Sequence, residues 1–111
     1  MKYKKLIINI FSLCLLMTAI PAAAVETIQL SIKDHTFSPA EITIPANTKV
    51  KLVIKNHDAT PEEFESKTLH REKVIPGGAE RTVFIGPLDA GTYEFYGEFN
   101  PRMAKGRVIV K

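Results

Sequence analysis

From Ile28 to Val110 the chain alternates apolar and polar residues with a period of two, and this alternation limits its folds more than any other feature. Ile28, Leu30 and Ile32 interleave with Gln29, Ser31 and Lys33. Ile42 and Ile44 follow, and then Val50, Leu52 and Ile54 interleave with Lys49, Lys51, Val53 and Lys55. Val83 with Ile85, Tyr93 with Phe95, and Val108 with Val110 continue the pattern. Successive strand side chains point to opposite faces, so such runs make strands with one buried face and one wet face. Turn formers separate the runs at Ser38-Pro39, Pro45-Ala46-Asn47, Asn56-His57-Asp58, Pro76-Gly77-Gly78, Gly86-Pro87 and Asp89-Ala90-Gly91. About six to eight short strands at this spacing predict an all-β, antiparallel sandwich or barrel. No stretch has a sustained helical period. Pro61 to Arg71, with Glu62, Glu63, Lys67 and Arg71, is read as the best candidate for a short helical turn. Tyr93, Phe95 and Phe99 share one alternating face and are assigned to the core or its end, and Tyr96 faces the other way.

The first 24 residues carry an address. Lys2, Lys4 and Lys5 precede an apolar run from Leu6 to Ile20, and Pro21-Ala22-Ala23-Ala24 supplies small residues for cleavage. Residues 1–24 are therefore read as a signal peptide and 25–111 as one domain, exported to the periplasm, with no stable membrane insertion after cleavage. The apolar run falls short of the roughly 20 residues of a comfortable membrane span. The formal charge of +3 arises from those three lysines, since 15 basic residues less 3 leaves 12, against 12 acidic ones. A balanced domain without a basic block gives no case for nucleic-acid binding. The single cysteine, Cys14, lies in the leader, so the remaining 87 residues (111 less 24) hold together by packing alone. No nucleophile–base pair stands out, and nothing supports a hydrolase.

Three segments, in order, resemble one family. Phe37-Ser38-Pro39-Ala40-Glu41-Ile42-Thr43-Ile44 through Val50 resembles the F-x-P-x-x-I-x-V opening of small cupredoxins. Asn56-His57-Asp58-Ala59-Thr60-Pro61-Glu62 resembles the N-x-D-x-x-P-H stretch that brings in the first copper imidazole. Gly91-Thr92-Tyr93-Glu94-Phe95-Tyr96-Gly97, through Asn100 and Met103 to Val110, resembles G-T-Y-x-F-x-C-x-x-H-P-x-M-x-G-x-V-x-V. The resemblance implies a cupredoxin-like Greek-key β-sandwich. Carried over by position, it puts Glu62 in place of His, Gly97 in place of Cys and Asn100 in place of His, and keeps Met103. Without a thiolate there is no blue-copper electron-transfer centre.

The stretches Thr60 to Ser66, Arg71 to Ala79 and Gly97-Glu98-Phe99 resemble more specifically the cysteine-free cupredoxin-like proteins of bacterial ferrous-iron uptake. Where those relatives often have E-F-H-P, this chain has Glu98-Phe99-Asn100-Pro101. The resemblance implies a periplasmic accessory protein that binds or hands over iron or copper, with an iron permease and other periplasmic iron-uptake proteins as partners. It would assist Fe(II) oxidation with such a partner rather than act as an enzyme alone. The candidate metal ligands are Glu62, Glu98, Asn100 and Met103, followed by Glu63, Glu65 and His70. Carboxylates suit hard cations and a thioether suits Cu(I). Because Glu63 and Glu65 flank Phe64, both acids are expected to face outward. The alternative reading is a metal-free protein-docking module on the same scaffold.

Overall fold

A computed structural model describes residues 25–111; the expected signal peptide, residues 1–24, lies outside the described residues. Nine strands form two sheets: β1 (Glu26–Lys33), β2 (Thr36–Ser38), β3 (Glu41–Ile44), β4 (Val50–Asn56), β5 (Glu62–Ser66), β6 (Arg71–Ile75), β7 (Glu80–Ile85), β8 (Gly91–Gly97) and β9 (Lys105–Val110). One sheet runs β2-β1-β4-β7 and the other β3-β9-β8-β5-β6. The all-β fold class holds, with one correction to the antiparallel expectation. β1 pairs with β4 in parallel, and so does β3 with β9. Parallel neighbours cannot be joined by a tight hairpin. Between β1 and β4, the chain instead forms β2, crosses to the other sheet as β3, and then returns.

The alternating apolar residues meet between the sheets. Leu30, Ile32, Leu52, Ile54, Val83 and Ile85 come from one, and Ile42, Ile44, Phe64, Ile75, Phe95, Val108 and Val110 from the other. Phe37, Phe64 and Phe95 stack at the middle, with Phe37 edge-on to both others at 6.2 and 5.0 Å and Phe64 tilted at 5.0 Å from Phe95. Such pairings add about 0.5–1.5 kcal/mol each beyond area burial. Gly106 makes this possible, because a Cβ there would lie within 2.4 Å of the Phe95 ring.

The helical expectation for Pro61 to Arg71 is overturned. Glu62–Ser66 is a central strand between β6 and β8, and only Lys67–His70 forms a turn. The charges spaced four apart at Glu63, Lys67 and Arg71 suit a helix, but Glu62, Phe64 and Ser66 face inward while Glu63 and Glu65 face outward, as a strand demands. Phe99 is a second correction. It stands in the loop after β8, 49% exposed, outside the core that takes Phe95.

Candidate functional site

β5 and the loop from Gly97 to Ala104 meet at one end of the sandwich. Glu62 is 1% exposed, and its carboxylate is fully engaged there. Oε1 accepts hydrogen bonds from the backbone N–H of Phe99 (2.9 Å) and of Glu63 (3.0 Å), and Oε2 accepts one from Asn100 Nδ2 (2.7 Å). A buried carboxylate needs such partners, and hydrogen bonds to a charged acceptor are the strong ones. Gly97 supplies the room: a Cβ at that position would lie 2.6 Å from Glu62 Cδ and 2.5 Å from Ala104 Cβ. The loop closes on itself through Gly97 N to Ala104 O (2.8 Å), Asn100 N to Gly97 O (3.1 Å) and Ala104 N to Asn100 O (2.9 Å). The result is a clasp in which the carboxylate of Glu62 holds the loop across the space beside Gly97.

On the opposite face of the same strands a group of acids stands together. Register sets Glu65 opposite Glu72 on β6 and Tyr96 on β8, and the Glu98 N–H donates to Glu63 O at 2.9 Å. Glu63, Glu65 and Glu72 each present a carboxylate oxygen within 4.8 Å of the others. Glu63 is 7% exposed, and no N–H donor reaches its carboxylate among the described residues. Its carboxyl is hydrogen-bonded to that of Glu72. Sharing a proton with that group, then burial, then the charges of Glu72, Glu65 and Glu98, pushes Glu63 up to about 7. Burial and the charges of Glu72 and Glu98 also raise Glu65, against a smaller opposing pull from Lys67. Burial, followed by the charges of Glu98 and Glu65, raises Tyr96 and keeps it a neutral phenol.

The expected site residues therefore divide between two places. Glu62 and Asn100 are joined in the clasp, and Glu98 turns to the outer face beside Glu63. Met103 sits in an exposed turn, 56% open to solvent. His70, in a left-handed turn conformation (φ 53°), lines an open depression of about 360 Å³ with Glu65 and Glu72. Glu72 and Tyr96 were not among the expected ligands. Reading Glu62–Ser66 and Arg71–Ile75 as a hairpin would have placed Glu72 opposite Glu65.

The family model for the cupredoxin-like domain matches residues 6–110. The chain belongs to this family. An uncharacterized protein of Rickettsia prowazekii (strain Madrid E) is 42% identical over 83 residues, covering 75% of this chain and 66% of that protein. Among solved structures, this cupredoxin-like chain is similar to auracyanin A, a blue copper protein of Chloroflexus aurantiacus, with a TM-score of 0.68 and 15% identity, over 79% of this chain and all of the other. It is equally similar to the metal-binding domain of the Cu(I)-exporting P-type ATPase of Streptococcus pneumoniae D39 (TM-score 0.68, 20% identity, 81% and 89% covered). Amicyanin of Paracoccus versutus matches with a TM-score of 0.60 and 21% identity, over 84% and 86%. At these identities the likeness is one of fold.

Copper is the group the cupredoxin fold implies, and the clasp does not fit it. Gly97 offers no thiolate, the oxygens of Glu62 already accept three hydrogen bonds, and the Asn100 amide is committed to Glu62 as a donor. A blue-copper centre requires a Cys thiolate with two imidazoles, so no electron-transfer step runs through this end of the molecule. Among the described residues no helix is long and apolar enough to cross a membrane.

Proposed function

We propose that this cupredoxin-like protein is an exported, periplasmic accessory that binds a metal ion, iron or copper, and hands it over to a membrane permease in iron uptake. It does so without a redox centre of its own. The observation that carries the reading is the group of Glu63, Glu65 and Glu72, whose carboxylate oxygens lie within 4.8 Å of one another, with Glu63 nearly buried. Crowded carboxylates are relieved by a shared proton or by a bound cation, and a cation compensates more than one charge at once. The sandwich and its clasp hold these acids on paired strands, a more rigid mounting than a loop.

The test is an anaerobic titration of the purified protein with Fe(II), Cu(I) and Cu(II), read by competition with a chelator. Stoichiometric binding of at least one ion, with no intense blue band for Cu(II), is expected. Failure of all three to bind would remove the reading.

One observation favours the second reading, a protein-docking module. Phe99 and Met103, in the loop that closes the clasp, are 49% and 56% exposed. Exposed apolar side chains at a loop tip suit a partner surface. If no metal binds, replacing both by Ser should abolish association with the partner.

A further inference from the structure

We propose that the outer face of the four-stranded sheet docks on an anionic lipid bilayer, through lysine ammonium groups and one exposed phenylalanine. The inference goes beyond the metal-carrier reading and shares with it only the expectation that the chain is exported and works beside a membrane.

The balanced charge of the domain is sorted by face. Strand parity turns Lys49, Lys51 and Lys55 of β4 outward, because Val50, Leu52 and Ile54 fill the core. Lys33 of β1 joins them, two residues beyond Ser31, which pairs with Lys55. Register places Lys51 in a row with Thr27 and Phe84, and Lys55 in a row with Ser31 and Glu80. Glu80 is the one acid in these two rows. None of the four lysines forms an ion pair among the described residues, and Lys55 Nζ donates to Gly78 O at 2.8 Å. On the outer face of the five-stranded sheet the sign reverses. Glu63, Glu65, Glu72 and Glu94 stand there with Lys105, while Arg107 is engaged by Glu41 at 2.7 Å. One broad side of the sandwich is positive and the other negative, so a charged plane orients the whole domain.

The residue types choose the kind of surface. Lysine is depleted from protein–protein interfaces, where arginine and large aromatics gather. Arginine is also the preferred cation for recognising nucleic acid. Here all four cations are lysines, and from 49 to 55 they are spread along roughly 20 Å of strand. Phe84 is 44% exposed among them, with Lys49 Nζ 4.8 Å from its ring centroid. Flexible ammonium groups around an aromatic ring suit a plane of phosphate headgroups: the lysines reach the charges and the ring enters the interface. Docked in this way, the domain turns its acidic side away from the bilayer and towards solvent. Adsorption of this kind requires no membrane-spanning segment.

The experiment is co-sedimentation of residues 25–111, which contain both sheets and the core between them, with lipid vesicles. Vesicles of phosphatidylcholine alone are compared with vesicles that also contain phosphatidylglycerol. Binding is expected only with phosphatidylglycerol, and raised salt should release it. Each lysine near such a surface is worth about 5-fold in partitioning, so K49Q/K51Q should bind ~25-fold more weakly. K73Q/K105Q removes the same charge from the other sheet and should bind as the parent does. Urea midpoints equal to the parent's show that the variants fold, and the salt dependence needs no variant. Absence of binding, binding that K49Q/K51Q leaves unchanged, or an equal loss in both variants would overturn the proposal. Salt-sensitive self-association in place of vesicle binding would also overturn it, making the acidic side of a second copy the occupant. Metal binding without vesicle binding would remove this docking surface alone, and vesicle binding without metal binding would remove the carrier reading alone.

Discussion

Gly97, Glu62 and Asn100 act as one unit. The missing side chain at 97 is what allows the Glu62 carboxylate to sit between β5 and the loop, since a Cβ would come within 2.6 Å of it. Gly97→Ala should therefore destabilise the domain by about 1–3 kcal/mol, the usual result of overpacking; urea denaturation measures it, and an unchanged midpoint would refute the close packing. Glu62→Ala should lose ~2 kcal/mol or more, because the Phe99 N–H and the Asn100 amide are left without an acceptor. Titration gives a second residue-scale prediction. Glu63 titrates near 7 in the folded protein against its ordinary 4.5, so between those values the folded state holds more protons than the unfolded chain. Its contribution to stability is complete below about 4.5 and is lost as pH rises through 7. Asp58 behaves oppositely: hydrogen bonds from the backbone of His35 and Asp34 hold it below its ordinary 3.8, so its contribution is present at neutral pH and lost in strong acid. Thermal melts of the metal-free protein should fall between pH 5 and 8, and E63Q should flatten that slope. An E63Q melt profile parallel to the parent's would mean that another group titrates.

At the scale of elements, the hairpin of β5 and β6 decides where the acids go. Its register sets Glu65 against Glu72 and puts Phe64 against the Phe37 and Phe95 rings. Phe64→Ala removes the centre of that cluster and should cost about 3–5 kcal/mol. The alternation that marks β1, β3, β4, β8 and β9 was legible in the sequence because aliphatic residues stand on the inner face. β5 hid because two of its inward positions are Glu62 and Ser66, polar residues whose partners come from distant parts of the chain: Asn100 and Phe99 for one, the Glu94 carbonyl for the other. No local pattern shows a carboxylate satisfied by a loop 37 residues away. The outward direction of Glu63 and Glu65 did follow from parity around Phe64. Phe99 misled because the period of two continues past Gly97 in sequence, while the backbone leaves the strand there to form the loop. The loop also permits a test by reconstruction. The triple variant E62H/G97C/N100H, with Met103 retained, should gain a strong visible absorption on adding Cu(II). A colourless triple variant would contradict the correspondence of these four positions with the cupredoxin ligands.

The whole molecule is a cupredoxin-like sandwich in which the usual metal end has been closed and a different face has been charged. The scaffold was readable because three ordered segments resemble the family along nearly the entire domain, and the fold and the family match agree with that reading. The remodelling was only half readable: the loss of the thiolate at Gly97 is a fact of sequence, but the filling of its place by Glu62 needs three dimensions. The filled blue-copper position and the acidic outer face share one strand, since β5 carries Glu62 inward and Glu63 outward in consecutive residues. The most direct measurement is anomalous diffraction from crystals soaked in parallel with Mn(II) and Cu(II). A Mn(II) peak among the carboxylates of Glu63, Glu65 and Glu72, with no Cu(II) peak between Glu62 and Asn100, is the predicted result. A metal peak between Glu62, Asn100 and Met103, with none on the outer face, would contradict the account.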